Sequence, residues 1–340
     1  MTLIALAVLL SLVGCAAPGS AGEGDDSREL LPPAEGNTAY PLVVTSAVGE
    51  IEIAERPRRV VMASSWDGDL FAALGVVPVA TDEQIEFYPW ALERFPVEIE
   101  TLWPMGDQPY PAETIAAASP DLIVDTLATD PAQVDKLGAI APVLGAPEDS
   151  GADGTWQDRI LLLGEVFDLS ERAQKVIADY DATFERIREE HPEFAGTSVD
   201  YVAFYGTEFG AGLLNTAGSD AEALFTRLGF DPSPSADDTA LDDGISDELW
   251  GTFSGDVLVI SNQDAEGFAD FFANPLIQSL ESVKSGRVLV LDVDSTAWTV
   301  SHDGEPTPFT GHFGRAFNYG PLAHLEIAEL LTPLLAELPR

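Results

Sequence analysis

The sequence predicts an α/β protein of two lobes bridged by a single long α-helix. Two observations carry this fold class. Short apolar runs alternate with helical patterns over residues 40–155 and again over 195–340, as in parallel sheets covered by helices. Between them, residues 156–194 read as almost wholly helical. With 340 residues, 46% of them hydrophobic, the chain can fill two separate cores.

In chain order, the first feature is the apolar run from Leu3 to Val13, closed by Leu12-Val13-Gly14-Cys15. The run falls short of the roughly 20 residues that cross a bilayer, but suits the core of a cleaved signal peptide. Residues 1–14 are therefore read as the signal, and Cys15 as the residue that carries lipid after cleavage. No Lys or Arg precedes the run, so the true start is expected further upstream. Acyl chains contribute roughly 0.8 kcal/mol per buried methylene, enough for several to hold a domain on a membrane without a spanning helix. Residues 15–39, rich in Gly, Ala, Ser, Pro and acid, read as a lipidated flexible tether. The protein is thus expected outside the cytoplasm, anchored to the cell membrane by its lipid alone. Cys15 is the only cysteine, which excludes disulfides and a cysteine-built metal site.

In the first lobe the strands are Val60 to Ala63, Val76 to Ala80 and Asp121 to Val124, with helices at Asp69 to Leu74 and Glu113 to Ala118. The bridge runs from Trp156 to about Glu190, broken near Phe167-Asp168-Leu169-Ser170, and Ser170 is placed to cap its second part. That second part spans about 30 Å at 1.5 Å per residue, the width of a small domain. In the second lobe the strands are Ser198 to Phe204, Val257 to Ser261 and Arg287 to Leu291. Its helices are Asp220 to Leu228, Gly267 to Phe272 and Leu322 to Leu338. Two such lobes set edge to edge would enclose a site beyond the carboxyl ends of their strands.

Charge excludes one class of partner. With 58 acidic against 16 basic side chains, a net charge of −42 repels nucleic acid. His191, His302, His312 and His324 lack metal-ligand spacing. There is no G-x-S-x-G elbow, no Walker sequence and no G-x-G-x-x-G after a strand, and the acidic run from Asp237 to Gly244 lacks EF-hand spacing. No enzyme and no resident cofactor are expected.

Several segments carry a family resemblance. They are Arg56-Pro57-Arg58-Arg59-Val60-Val61 with Ala73 to Val79, Glu113 to Ile123, Ile140-Ala141-Pro142-Val143 before Trp156, Phe225 to Phe230, Leu280 to Leu291, and Trp298 with Asn318 to Leu322. In this order they resemble the iron-siderophore substrate-binding lipoproteins of ABC importers. The resemblance implies two Rossmann-like lobes in the helical-backbone fold of metal and siderophore binding, with little hinge motion. It implies a monomer that delivers a ferric siderophore to a permease and its ATPase. It also implies one docking acid per lobe: Glu113, before the Ile-Ala-Ala-x-x-Pro-Asp-Leu segment, and Glu222, with Asp220 as fallback. An acid in a helix's first turn is also favoured by the dipole, by about 0.3–1 kcal/mol, without any further role.

Ligand contacts are sought at strand ends and the loops after them: Ser64, Ser65 and Trp66; Tyr88 and Trp90; Trp103, Asp107 and Tyr110; Tyr205; Asn262; and Trp298. Aromatic faces suit a bulky chelate. Trp66, Tyr205 and Trp298 lead this set, followed by Tyr88, Trp103 and Arg315. A tris-catecholate carries several negative charges and needs a cationic cluster, for which Arg94 and Arg315 are the main candidates. The expected cargo is therefore a hydroxamate chelate, with haem or cobalamin as alternatives. An extracellular hydrolase or adhesin on the same scaffold is the competing class.

Overall fold

The computed structural model of the chain describes residues 29–105, 110–148, 155–237, 245–317 and 320–340. The signal peptide, Cys15, Asp107 and the tether up to residue 28 lie outside the described residues.

Residues 29–39 do not behave as a tether. Leu30 is buried, and its carbonyl accepts the Val77 N–H at 2.7 Å. Asp168 accepts the N–H groups of Gly36, Asn37 and Thr38 at 2.8, 2.8 and 2.9 Å. Composition suggested a linker, but this stretch ties the chain's start to the bridge.

The N-terminal lobe begins with a hairpin, β1 (Leu42–Ser46) and β2 (Gly49–Ile53). It continues through β3 (Val60–Met62), α1 (Gly68–Leu74), β4 (Ala80–Asp82), α2 (Pro89–Leu92), β5 (Thr101–Trp103), α3 (Ala112–Ala117), β6 (Leu122–Val124), α4 (Pro131–Val134) and β7 (Val143–Leu144). Its parallel sheet has the order β5-β4-β3-β6-β7. Every residue of β3 and β6 is buried, as expected of strands covered on both faces. The strand expected at Val76 to Ala80 starts late, as β4. Gly75, at φ 71°, ends α1, and the Val76 N–H bonds back to Phe71, so those residues form the helix exit instead.

The bridge is α5 (Trp156–Val166) and α6 (Ser170–Glu190), broken where expected, with Asp168 at φ 54° in the turn. Ser170 makes no side-chain cap. Instead the Glu35 carboxylate accepts the N–H groups of Glu171 and Arg172 at 2.7 and 3.0 Å. A distant acid thus occupies the electropositive helix end that a local serine was expected to serve.

The C-terminal lobe comprises β8 (Val199–Gly206), β9 (Gly210–Leu213), α7 (Asp220–Leu228), β10 (Val257–Asn262), α8 (Phe268–Phe272), α9 (Glu281–Lys284), β11 (Val288–Asp294), β12 (Thr299–His302), β13 (Glu305–Thr310), α10 (Phe313–Ala316) and α11 (Pro321–Ala336). Its sheet order is β13-β12-β11-β10-β8-β9, parallel across β11-β10-β8 and antiparallel at both edges. The edge strands escaped the sequence reading because they are polar or glycine-rich. Pro306 and Pro308 disguise β13, which tolerates them as the outermost strand. One hydrophobic core runs through both lobes, from Leu70 and Phe71 through Leu163 and Tyr180 to Phe317, Ile327 and Leu331. No helix among the described residues is long and apolar enough to cross a membrane.

Candidate functional site

The loops at the strand carboxyl ends of the two lobes meet along one seam. The loop after β3 leads into α1, where the buried Asp69 carboxylate reaches across to the other lobe. It accepts the N–H groups of Leu322 and Ala323, at the start of α11, at 3.0 and 2.8 Å, together with Trp90 Nε1 at 3.1 Å. Burial pushes this carboxyl up to about 6, opposed by those hydrogen bonds and by Arg94. Gly320 permits the approach, since a Cβ there would lie 2.9 Å from Asp69 Oδ1.

A second contact closes the seam further along. Phe87, after β4, lies with its ring centroid 4.7 Å from that of Trp298, after β11; Trp298 stacks on His312 at 4.6 Å. The His312 N–H donates to the Phe87 carbonyl, and Gly311 N–H donates to the Trp298 carbonyl at 2.7 Å. Trp298 is held at φ 53°, a conformation that a bulky residue adopts only when its surroundings enforce it.

Behind the N-terminal rim, the partly exposed Asp82 and the buried Asp125 and Asp67 are engaged with their own lobe. Asp82 accepts the N–H groups of Ser65 and Gln84 at 3.0 and 2.9 Å. Asp125 accepts the Tyr110 hydroxyl and the Leu127 N–H, and burial raises its pKa. Asp67 accepts both the N–H and the hydroxyl of Thr126; burial, with the neighbouring Asp125, pushes it up to about 6 against the opposing charge of Arg159. Across the seam, Asn262 Nδ2 donates to Asp292 at 2.7 Å, and Asp264 follows on the same loop.

The expected ligand residues divide sharply. Trp66 is half-buried against the shared core, and Tyr205 is 41% exposed at the end of β8. Trp298 is the interlobe stack just described. Tyr88 and Trp103, expected as contacts, are 1% and 3% exposed: Tyr88 stacks on Trp90, and Trp103 fills a core of the N-terminal lobe. Trp103 ends β5 and packs into its own lobe's core, and Tyr88, at the start of α2, packs into the core shared by both lobes. Arg315 falls in α10, and its side chain lies outside the described residues. Arg94 pairs with Glu326 at 3.3 Å. Glu113 is exposed in the first turn of α3. Glu222 accepts the Gly218 N–H at 2.6 Å while its own N–H donates to Ser219 Oγ at 3.1 Å, so it helps to cap α7; Asp220 beside it is exposed.

Two features escaped the sequence reading. Phe209, 76% exposed, stands at the tip of the β8–β9 hairpin, four residues after Tyr205. Gly206 and Gly210, both at positive φ, flank that tip and were its available signal. Arg159 is 6% exposed on the apolar face of α5, between Trp156 and Leu163. A basic residue at that helical phase, in so acidic a chain, was the clue. With the first turns of α7 and α11, Arg159 lines a cavity of about 590 Å³ between the bridge and the C-terminal lobe. Among the described residues, no group of three or more His, Cys, Asp or Glu side chains is placed to hold a metal.

The profile of the periplasmic binding protein family matches residues 104–294. Among curated proteins, the ferric-anguibactin-binding protein FatB of Vibrio anguillarum is 27% identical over 274 residues, covering 77% of this chain and 82% of its own. A periplasmic solute binding protein from Mycobacterium smegmatis superposes with a TM-score of 0.66 at 23% identity, over 87% of this chain and 98% of its own. PiaA of Streptococcus pneumoniae, solved with ferrichrome, gives 0.63 at 20% identity over 86% and 97%. The solved structures share the fold.

Proposed function

This chain belongs to the periplasmic binding protein family, and we propose that it captures a ferric siderophore at the interlobe seam for delivery to an ABC importer. The observation that carries this reading is the seam. It is preformed, fixed by Asp69 and by the Phe87–Trp298–His312 contact, and the hairpin at the carboxyl end of β8 adds the exposed aromatics Tyr205 and Phe209. Such a surface grips a bulky ligand without large closure. The FatB relative, named for a ferric siderophore, and the ferrichrome complex of PiaA support iron chelates as the cargo class.

Electrostatics favour a hydroxamate. The rims carry the partly exposed Asp82 on one side and Asp264 and Asp292 on the other, which repel a tris-catecholate and accept a neutral or cationic chelate. The protein acts by binding and release, without catalysis. Glu113 and Glu222 serve as permease-docking acids, with the exposed Asp220 beside the second. The protein is secreted and held at the cell membrane as a monomer by lipid on Cys15.

Intrinsic tryptophan fluorescence, titrated with ferrichrome, a ferric tris-catecholate, haem and cobalamin, tests the cargo. Saturable quenching by ferrichrome that is weakened by Tyr205→Ala or Phe209→Ala supports it; binding of haem or cobalamin alone replaces it.

A further inference from the structure

The cavity beside the bridge has a chemistry that the rims lack. Arg159, more than nine-tenths buried, lines it, and Arg159 Nε has no hydrogen-bond partner among the described residues. Its nearest counter-charge, Asp67 Oδ1, lies 3.9 Å from Nη1, beyond hydrogen-bond length, because both Asp67 oxygens are engaged by Thr126. A buried guanidinium without acceptors is expensive, so this group is poised for an acceptor from the cavity.

Helix termini add to its pull. α5 and α7 both start at the cavity, at Thr155–Trp156 and Ser219–Ala221. In α7, Ser219 Oγ takes the Glu222 N–H, leaving the Asp220 and Ala221 amides at the open end of the helix. The remaining wall is largely apolar: Trp156, Tyr201, Leu214 and Phe317. His324 brings no positive charge. Burial lowers its pKa, and it donates from Nε2 to the Phe317 carbonyl while Nδ1 accepts from Tyr180. Asp220 also lines the cavity, so its carboxylate limits how much negative charge can enter.

We propose that this cavity is a subsite for a single carboxylate carried on an organic body, held by the Arg159 fork and the open end of α7. A planar monoanion matches a guanidinium fork better than it matches a point charge. The volume suits a small organic molecule or one arm of a larger one. The carboxylate can come from a pendant arm of the bound chelate, which rests on the siderophore reading, or from a free organic acid, which does not.

Matched ligands separate these sources. N-acetyl ferrioxamine B is neutral, and its N-succinyl counterpart differs by one terminal carboxylate; benzoate and benzamide form the same pair without iron. Calorimetry on the wild-type protein should show the carboxylate member of at least one pair binding at least tenfold more tightly than its neutral partner. Arg159→Gln should abolish that preference and Arg159→Lys should weaken it, with N-acetyl ferrioxamine affinity unchanged in both. The lysine variant keeps a charge facing Asp67 and so guards against misfolding of the first. A preference confined to the succinyl arm assigns the carboxylate to the chelate, and one for benzoate assigns it to a free acid. Benzoate binding through Arg159 without any chelate binding would sink the siderophore reading and keep the subsite. Equal affinities within both pairs, or a carboxylate preference that survives in Arg159→Gln, would overturn the subsite, whatever the chelates do.

Discussion

The two rims of the seam are built on different plans. On the N-terminal side the sheet strands are two or three residues long, the aromatics that follow or end them, Tyr88, Trp90 and Trp103, are sealed, and the rim carboxylates are bound to their own lobe. On the C-terminal side β8 runs for eight residues and projects a hairpin, leaving Tyr205 and Phe209 exposed. A short strand surrounded by helices has its ends covered by the next turn of chain. A long one carries its end clear of the core. In the proposed site, one lobe would then supply a fixed wall and the other the contact surface.

Exchanging the roles of two aromatics gives the largest test of that contrast. Trp103→Ala should cost about 3–5 kcal/mol of unfolding free energy as a core truncation, while Tyr205→Ala should cost under about 1 kcal/mol. Chelate affinity should respond in the opposite order. Urea melts paired with titrations read both, and equal stability losses would erase the distinction between wall and contact.

Asp69 joins the two plans. Asp69→Ala leaves two backbone N–H groups and the Trp90 indole N–H without their acceptor, and should cost about 2–4 kcal/mol. Hydrogen exchange should show faster opening of the first turn of α11. The wild type should also be stabilised as pH falls from about 6 towards 4. Asp67 and Asp69, raised to about 6 in the fold, take up protons there before the unfolded chain does. Asp69→Asn removes one share of this gain, so in a pH series the unfolding midpoint of the variant should rise less between pH 6 and 4 than that of the wild type.

Away from the seam, Asp168 titrates in the opposite sense. Burial would raise it, but the N–H groups of Thr38, Gly36 and Asn37, with Arg56, hold it below the usual carboxylate range. Its stabilisation is present above about pH 4 and lost as pH falls further. Asp168→Asn, which tolerates the positive φ, should cost about 1–2 kcal/mol at pH 7, and the penalty should shrink below pH 4. A cost independent of pH would mean that the charge does not hold residues 36–38.

The acids proposed for docking, Glu113 and Glu222, give the smallest effect. Glu222→Ala removes a cap contact at α7 and should cost about 0.5–1 kcal/mol, whereas Glu113→Ala should leave the melting temperature unchanged. If both variants lower transport in reconstituted vesicles while chelate affinity holds, docking is the shared role and capping is peculiar to Glu222.

Much was legible in the chain because it depends on local period and punctuation. Short apolar runs between helical patterns indicated the α/β class, the two lobes and the bridge with its break at Phe167–Leu169. Other features depend on which distant segment arrives. Glu35 replaced Ser170 as the cap of α6, Asp69 caps a helix in the other lobe, and Tyr88 and Trp103 turned inward while Phe209 turned out. The chain alone specified the central strands and the long helices, since backbone hydrogen bonding and apolar spacing act within a dozen residues. Which aromatic is buried and which exposed, and which acid meets which helix end, emerged only in three dimensions, because burial and electrostatic pairing act through space between residues far apart in the chain.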